Sequence, residues 1–117
     1  MSRRRDHDAN GDLLGGTLSM LILQILRQQP ANGFTIARTI ERRSSSVLLV
    51  EEGSLYPALH RLAARGWIAS YWGLSEHNRR ARYYRLTPKG RRALLQESGR
   101  WTRLVRAVHR VMRPVEE

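Results

Sequence analysis

Arginine is the residue type through which this sequence can do chemistry. Of its 21 basic residues all but Lys89 are arginine, against ten acids, for a formal net charge of +11. A guanidinium carries a planar fork of donors that matches two phosphate oxygens or the edge of a guanine, so the balance points to an acidic polymer as partner. Charge by itself speaks of association and not of fold, and a solvated basic surface is the plainer alternative. The other reactive residue types are arranged less suggestively. His7, His60, His77 and His109 share no metal-ligand spacing, and Ser54 has no histidine or lysine at a spacing that would make it a nucleophile. Without cysteine there is no disulfide, thiolate zinc site or thiol nucleophile, and no glycine-rich phosphate loop or paired-carboxylate pattern occurs. No cofactor, metal or enzymatic activity is expected.

The scaffold that must position the arginines is small: 117 residues, 41% hydrophobic and 26% charged, fit one ordinary globular domain. No apolar run approaches the roughly 18 residues of a bilayer crossing, and Ser2-Arg3-Arg4-Arg5-Asp6 lacks the apolar stretch of a secretion signal. A cytoplasmic protein with no membrane contact is the expectation. Residues 1–16 mix charge, Asn and Gly without periodicity and read as a flexible basic arm; Arg3-Arg4-Arg5 is either solvated or enters a minor groove.

Periodicity then predicts a series of elements. With Thr17 as cap, Leu18, Leu21, Ile22, Ile25 and Leu26 recur at helical spacing until Pro30. A second helix is predicted from Phe34 to Arg43, with Phe34, Ile36, Ala37 and Ile40 on one face and Arg38, Arg42 and Arg43 on the other; Ser44-Ser45-Ser46 ends it. Val47 to Val50 is predicted as a brief strand. The third helix, Gly53 to Arg65, has Leu55, Leu59 and Leu62 as its core face, Pro57 in its first turn and Gly66 as its left-handed stop. At 100° per residue the opposite face carries Pro57, His60, Arg61 and Ala64, flanked by Ser54 and Tyr56. Trp67 to Trp72 and Tyr83 to Leu86 read as two strands around a polar tip, and Thr87-Pro88 as the cap and first residue of a last helix reaching Met112.

The expected fold is mainly α with a small β-hairpin wing: a winged helix-turn-helix over residues 17–87, a long C-terminal helix over 88–113 and a tail at 114–117. Charge falls where that layout needs it. Arg61 and His60 lie on the exposed face of the third helix, which would meet base edges in a major groove, and Arg79, Arg80 and Arg82 lie on the hairpin tip, which would grip the backbone. Tyr56 either packs its ring at the helix start with its hydroxyl in water or, on the flank of a DNA-facing helix, reaches a phosphate oxygen; phosphate contact is the expectation.

From about residue 14 to 113 the sequence resembles the PadR family of bacterial transcriptional regulators. The likeness is carried by Gly16-Thr17-Leu18, by the run from Glu52 through Ser54-Leu55-Tyr56-Pro57-Ala58-Leu59-His60-Arg61 to Leu62, and by Gly66-Trp67-Ile68, Arg82-Tyr83-Tyr84-Arg85-Leu86-Thr87 and Gly90, in order. Asn32-Gly33-Phe34 departs from the family's usual His-Gly-Tyr, and the single C-terminal helix matches its short form. The resemblance implies a homodimeric repressor of a pseudo-palindromic operator, controlled in many members by a small molecule or stress signal. It further implies that Ser54, Tyr56, Pro57, His60 and Arg61 lie on the recognition helix, Arg79, Arg80 and Arg82 on the wing, and Arg38 and Arg42 near phosphates.

Along the last helix Leu94, Trp101 and Val108 repeat at seven residues, as do Leu104 with Val111 and Val105 with Met112. A helix of about 25 residues is about 37 Å long, more than so small a body can cover, so a second copy is the expected partner. Arg100, Arg103, Arg106, Arg110 and Arg113 then form a solvated outer face. Trp101 is expected to pack within the dimer; the alternative is a platform for a small flat aromatic effector. A winged helix that binds RNA or protein without operator specificity is the competing reading, although Tyr83 and Tyr84 suit a packed hairpin better than exposed base-stacking platforms.

Overall fold

The computed structural model describes residues 16–115. Helix α1 occupies residues 16–28 of this range. Thr17 therefore lies within the helix, one residue after helical Gly16, and is not its cap; the arm proposed for residues 1–16 otherwise falls outside the described residues. Leu18, Ile22 and Leu26 are buried as their spacing predicts, joined by Leu23, while Leu21 and Ile25 are partly buried against the same core. After Pro30 the chain forms a two-residue strand β1, Ala31–Asn32. Asn32 then caps helix α2, Gly33–Arg43, its Oδ1 accepting the Thr35 amide at 2.8 Å. Ile36 and Ile40 turn inward, but Phe34, assigned to the same face, is exposed beneath the Arg38 guanidinium at 5.8 Å.

The serine run ends α2 as expected, with Ser45 and Ser46 at positive φ and the Ser46 amide donating to the Glu41 carbonyl. No strand forms over Val47 to Val50. The Leu48 amide instead donates to Ser44 Oγ at 3.0 Å and the Val50 amide to the Glu41 carboxylate at 3.1 Å, so side chains take the donors that a strand partner would need.

Helix α3, Glu52–Ala64, begins where the Ser54 and Leu55 amides reach the Glu51 carbonyl. Its start is one residue earlier than the sequence suggests. Pro57 consequently lies inside the helix, beyond the first turn, and the backbone bonds to Glu51 set the start in its place. Leu55, Ala58, Leu59 and Leu62 are buried. At the other end Gly66 takes φ +75°, its amide donating to Ala63 and that of Trp67 to Leu62. This paired closure needs a left-handed residue, which glycine supplies without steric cost.

Strands β2, Ile68–Leu74, and β3, Arg80–Leu86, form the wing, and β1 pairs with the outer edge of β3 to give a three-stranded antiparallel sheet in the order β1-β3-β2. Register runs from Ile68 opposite Leu86 to Leu74 opposite Arg80. Helix α4, Pro88–Met112, opens with Thr87 capping the Gly90 amide at 3.0 Å. Gly90, Ala93 and Leu94 of α4 are buried, residues 97–99 and Val105 are half-buried, and the far end of the helix is exposed. One core joins α1, α2, α3, the root of the sheet and Leu94.

Candidate nucleic-acid interface

Helix α3 is held on its leucine face and is free on the other. Pro57, His60, Arg61 and Ala64 are all exposed, and Ser54 is half-buried at its edge. Tyr56 is 42% exposed, but its ring lies against the start of α2: a Cβ added at Gly33 would stand 3.1–3.3 Å from the ring and its hydroxyl. Tyr56 thus braces α3 on α2 while keeping one edge in water. On α2, Arg38 and Arg42 are exposed.

The wing treats its three arginines differently. The tip spans residues 75–79, closed by the Ser75 amide on the Arg79 carbonyl at 2.8 Å and by Asn78 at positive φ. Arg79 is on this turn, whereas Arg80 and Arg82 belong to β3 and place their guanidinium carbons 4.2 and 4.9 Å from the Trp72 ring centre. On the opposite face of the hairpin Tyr71 stacks on Tyr83 at 5.7 Å, and the Tyr83 hydroxyl donates to the Leu74 carbonyl at 2.8 Å. Among the described residues none of Arg61, Arg79, Arg80 and Arg82 has an ion-pair partner; the pair that does occur, Arg100 with Glu97, is on α4. Cations left unpaired on one exposed helix and on the adjoining hairpin form a surface suited to a polyanion.

Sequence reasoning missed Trp72. Its place beside Arg80 and Arg82 rests on cross-strand register, and the available signal was an aromatic near the outer end of one strand facing an arginine-rich one. Leu94 is also differently placed: at 3% exposure it is covered by its own chain. Farther along the stripe Trp101, Leu104, Val108, Val111 and Met112 are exposed and Val105 is half-buried. Among the described residues no group of acids and histidines could hold a metal, and no helix is long and apolar enough to cross a membrane.

Helices α2 and α3 with the β2–β3 hairpin form a winged helix-turn-helix. The model of the PadR-like family of transcriptional regulators matches residues 22–96, and the chain belongs to that family. A transcriptional regulator from Clostridium thermocellum is similar in structure, with a TM-score of 0.80 and 28% identity over 87% of this chain and 99% of the other. A PadR family regulator from Eggerthella lenta has a TM-score of 0.76 at 28% identity, covering 98% of this chain and 100% of its own. An uncharacterized protein from Lysinibacillus sphaericus is 25% identical over 105 residues, 90% of this chain and 96% of the relative.

Proposed function

We propose that the chain works in the cytoplasm as a homodimeric repressor that binds an inverted-repeat operator. The observation that carries this reading is the exposed Pro57, His60 and Arg61 face of α3 beside three wing arginines without acidic partners among the described residues. Arg61 reads a base edge, Ser54, Tyr56, Pro57 and His60 shape the fit in the major groove, Arg79, Arg80 and Arg82 grip the backbone, and Arg38 and Arg42 meet neighbouring phosphates. Two copies pair through α4, where Trp101, Leu104, Val105, Val108, Val111 and Met112 lie beyond the part covered by the body. Twofold pairing sets the two recognition helices about 34–36 Å apart, one DNA turn. Trp101 packs in that interface; a flat aromatic ligand held there by two symmetry-related tryptophans would alter DNA binding only by preferring one arrangement of the heads.

Fluorescence anisotropy at fixed salt tests the reading, with a duplex from the chain's own promoter region, a scrambled duplex and an RNA of matching sequence. Tightest binding to the promoter duplex is expected. Equal or tighter binding of the RNA favours the alternative of an RNA-binding module.

A further inference from the structure

Side chains alternate across a strand, so Trp72 and Leu74 share a face with their partners Arg82 and Arg80, and with Ile68 and Tyr84 nearer the body. Ile68 and Tyr84 belong to the core together with Leu55, Leu59 and Leu62 of α3. The outer part of that face therefore lies on the side of the sheet that carries α3. There Trp72 is 53% exposed, and both guanidiniums lie over its ring.

Two unpaired cations on one ring repel each other, and an exposed arginine otherwise samples many rotamers. Attraction to the electron-rich indole face opposes both tendencies. An anion is what this arrangement lacks, because no described acid pairs with either arginine. We propose that Trp72, Arg80 and Arg82 form a phosphodiester clamp: the ring holds both guanidiniums in place before DNA arrives, so they meet backbone phosphates beside the segment facing α3 with little ordering left to do. Trp72 is a positioning residue in this clamp and acts only through the two arginines. The inference rests on the reading that the wing contacts DNA.

The test titrates the full chain with a labelled mixed-sequence duplex over a range of salt, in wild type, W72F, W72V, R80Q/R82Q and the triple variant W72V/R80Q/R82Q, with W72T replacing W72V should that variant not fold. R80Q/R82Q is expected to bind more weakly, with the slope of log affinity against log salt reduced by roughly 0.9 for each lost phosphate contact. W72V is expected to cost about two- to fivefold per freed guanidinium, W72F to retain most of the affinity, and W72V to cost nothing further once both arginines are gone. W72V binding as tightly as wild type while R80Q/R82Q is weakened would overturn the clamp, as would an equal W72V penalty without the arginines. Wild-type binding by R80Q/R82Q would instead remove the DNA-contacting wing itself.

Discussion

The Thr87 hydroxyl donates to the Gly66 carbonyl at 2.7 Å, with the Trp67 carbonyl at 3.0 Å sharing the same proton, and accepts the Gly90 amide at 3.0 Å. One side-chain oxygen thereby joins the end of α3 to the start of α4. The cap that begins α4 also fixes its direction relative to α3.

Thr87→Val, close in shape but without the hydroxyl, removes these bonds. A loss of about 1–2 kcal/mol is expected in urea unfolding at constant protein concentration, whereas Thr87→Ser, which retains the oxygen, stays close to wild type.

Gly90 and Gly99 occupy the same helix and are expected to respond to alanine with opposite signs. A Cβ at Gly90 would overlap the Trp67 carbonyl and press on Leu86, whereas at Gly99 it meets only the end of the flexible Arg103 side chain at 3.7 Å. Gly90→Ala is expected to destabilise by about 1–3 kcal/mol or more through overpacking. Gly99→Ala should stabilise by about 0.5–1 kcal/mol, because alanine lowers the entropy cost of an open helix position. Melting temperatures of the two variants against wild type check the contrast.

Burial pushes the Tyr84 phenol above its ordinary value of 10.0, the Arg82 cation pulls it partly back and Tyr56 adds to the rise. The folded protein holds this proton more tightly than the unfolded chain does. The corresponding stability is fully present below about pH 10 and is lost as pH rises through the raised value. Urea midpoints of Tyr84→Phe should accordingly fall less steeply than those of wild type between about pH 9 and 11.

The proposed pairing through α4 would place a large apolar side chain, Trp101, 42% exposed in one copy, in a shared interface. Trp101→Glu introduces a charge there and is expected to shift sedimentation from dimer toward monomer at micromolar concentration and to weaken DNA binding with it. Leu94→Glu acts differently: its residue is in the protomer core, so loss of folding, and not of pairing alone, is expected. A wild-type protein that sediments as a monomer, with Trp101→Glu unchanged, contradicts the pairing.

Local chemistry explains what was legible in the sequence. The Leu55, Leu59 and Leu62 face, the Gly66 stop and the Thr87-Pro88 start are encoded within a few residues, and each is found in place. What was not legible depends on distant partners. β1 exists because Ala31 and Asn32 meet Tyr84 and Tyr83, some fifty positions along the chain. The β-branched look of Val47 to Val50 gave no hint that Ser44 and Glu41 side chains would take its amides. Periodicity put Leu94 and Trp101 on one stripe, yet it cannot tell that the body covers the first and leaves the second exposed. The pairing of Trp72 with Arg82 is likewise set by hairpin register.

In the proposed complex α3 reads sequence while the wing supplies grip. The most direct measurement is competition binding at fixed salt of wild type, Arg61→Ala and Arg79→Ala to a promoter-derived duplex and its scrambled counterpart. Arg61→Ala should lose about 1–3 kcal/mol on the promoter duplex and little on the scrambled one, lowering the ratio between them. Arg79→Ala should weaken both alike, leaving the ratio intact and reducing the salt slope by roughly 0.9. An Arg61→Ala variant that keeps both affinity and discrimination contradicts the assignment of α3 as the reading helix.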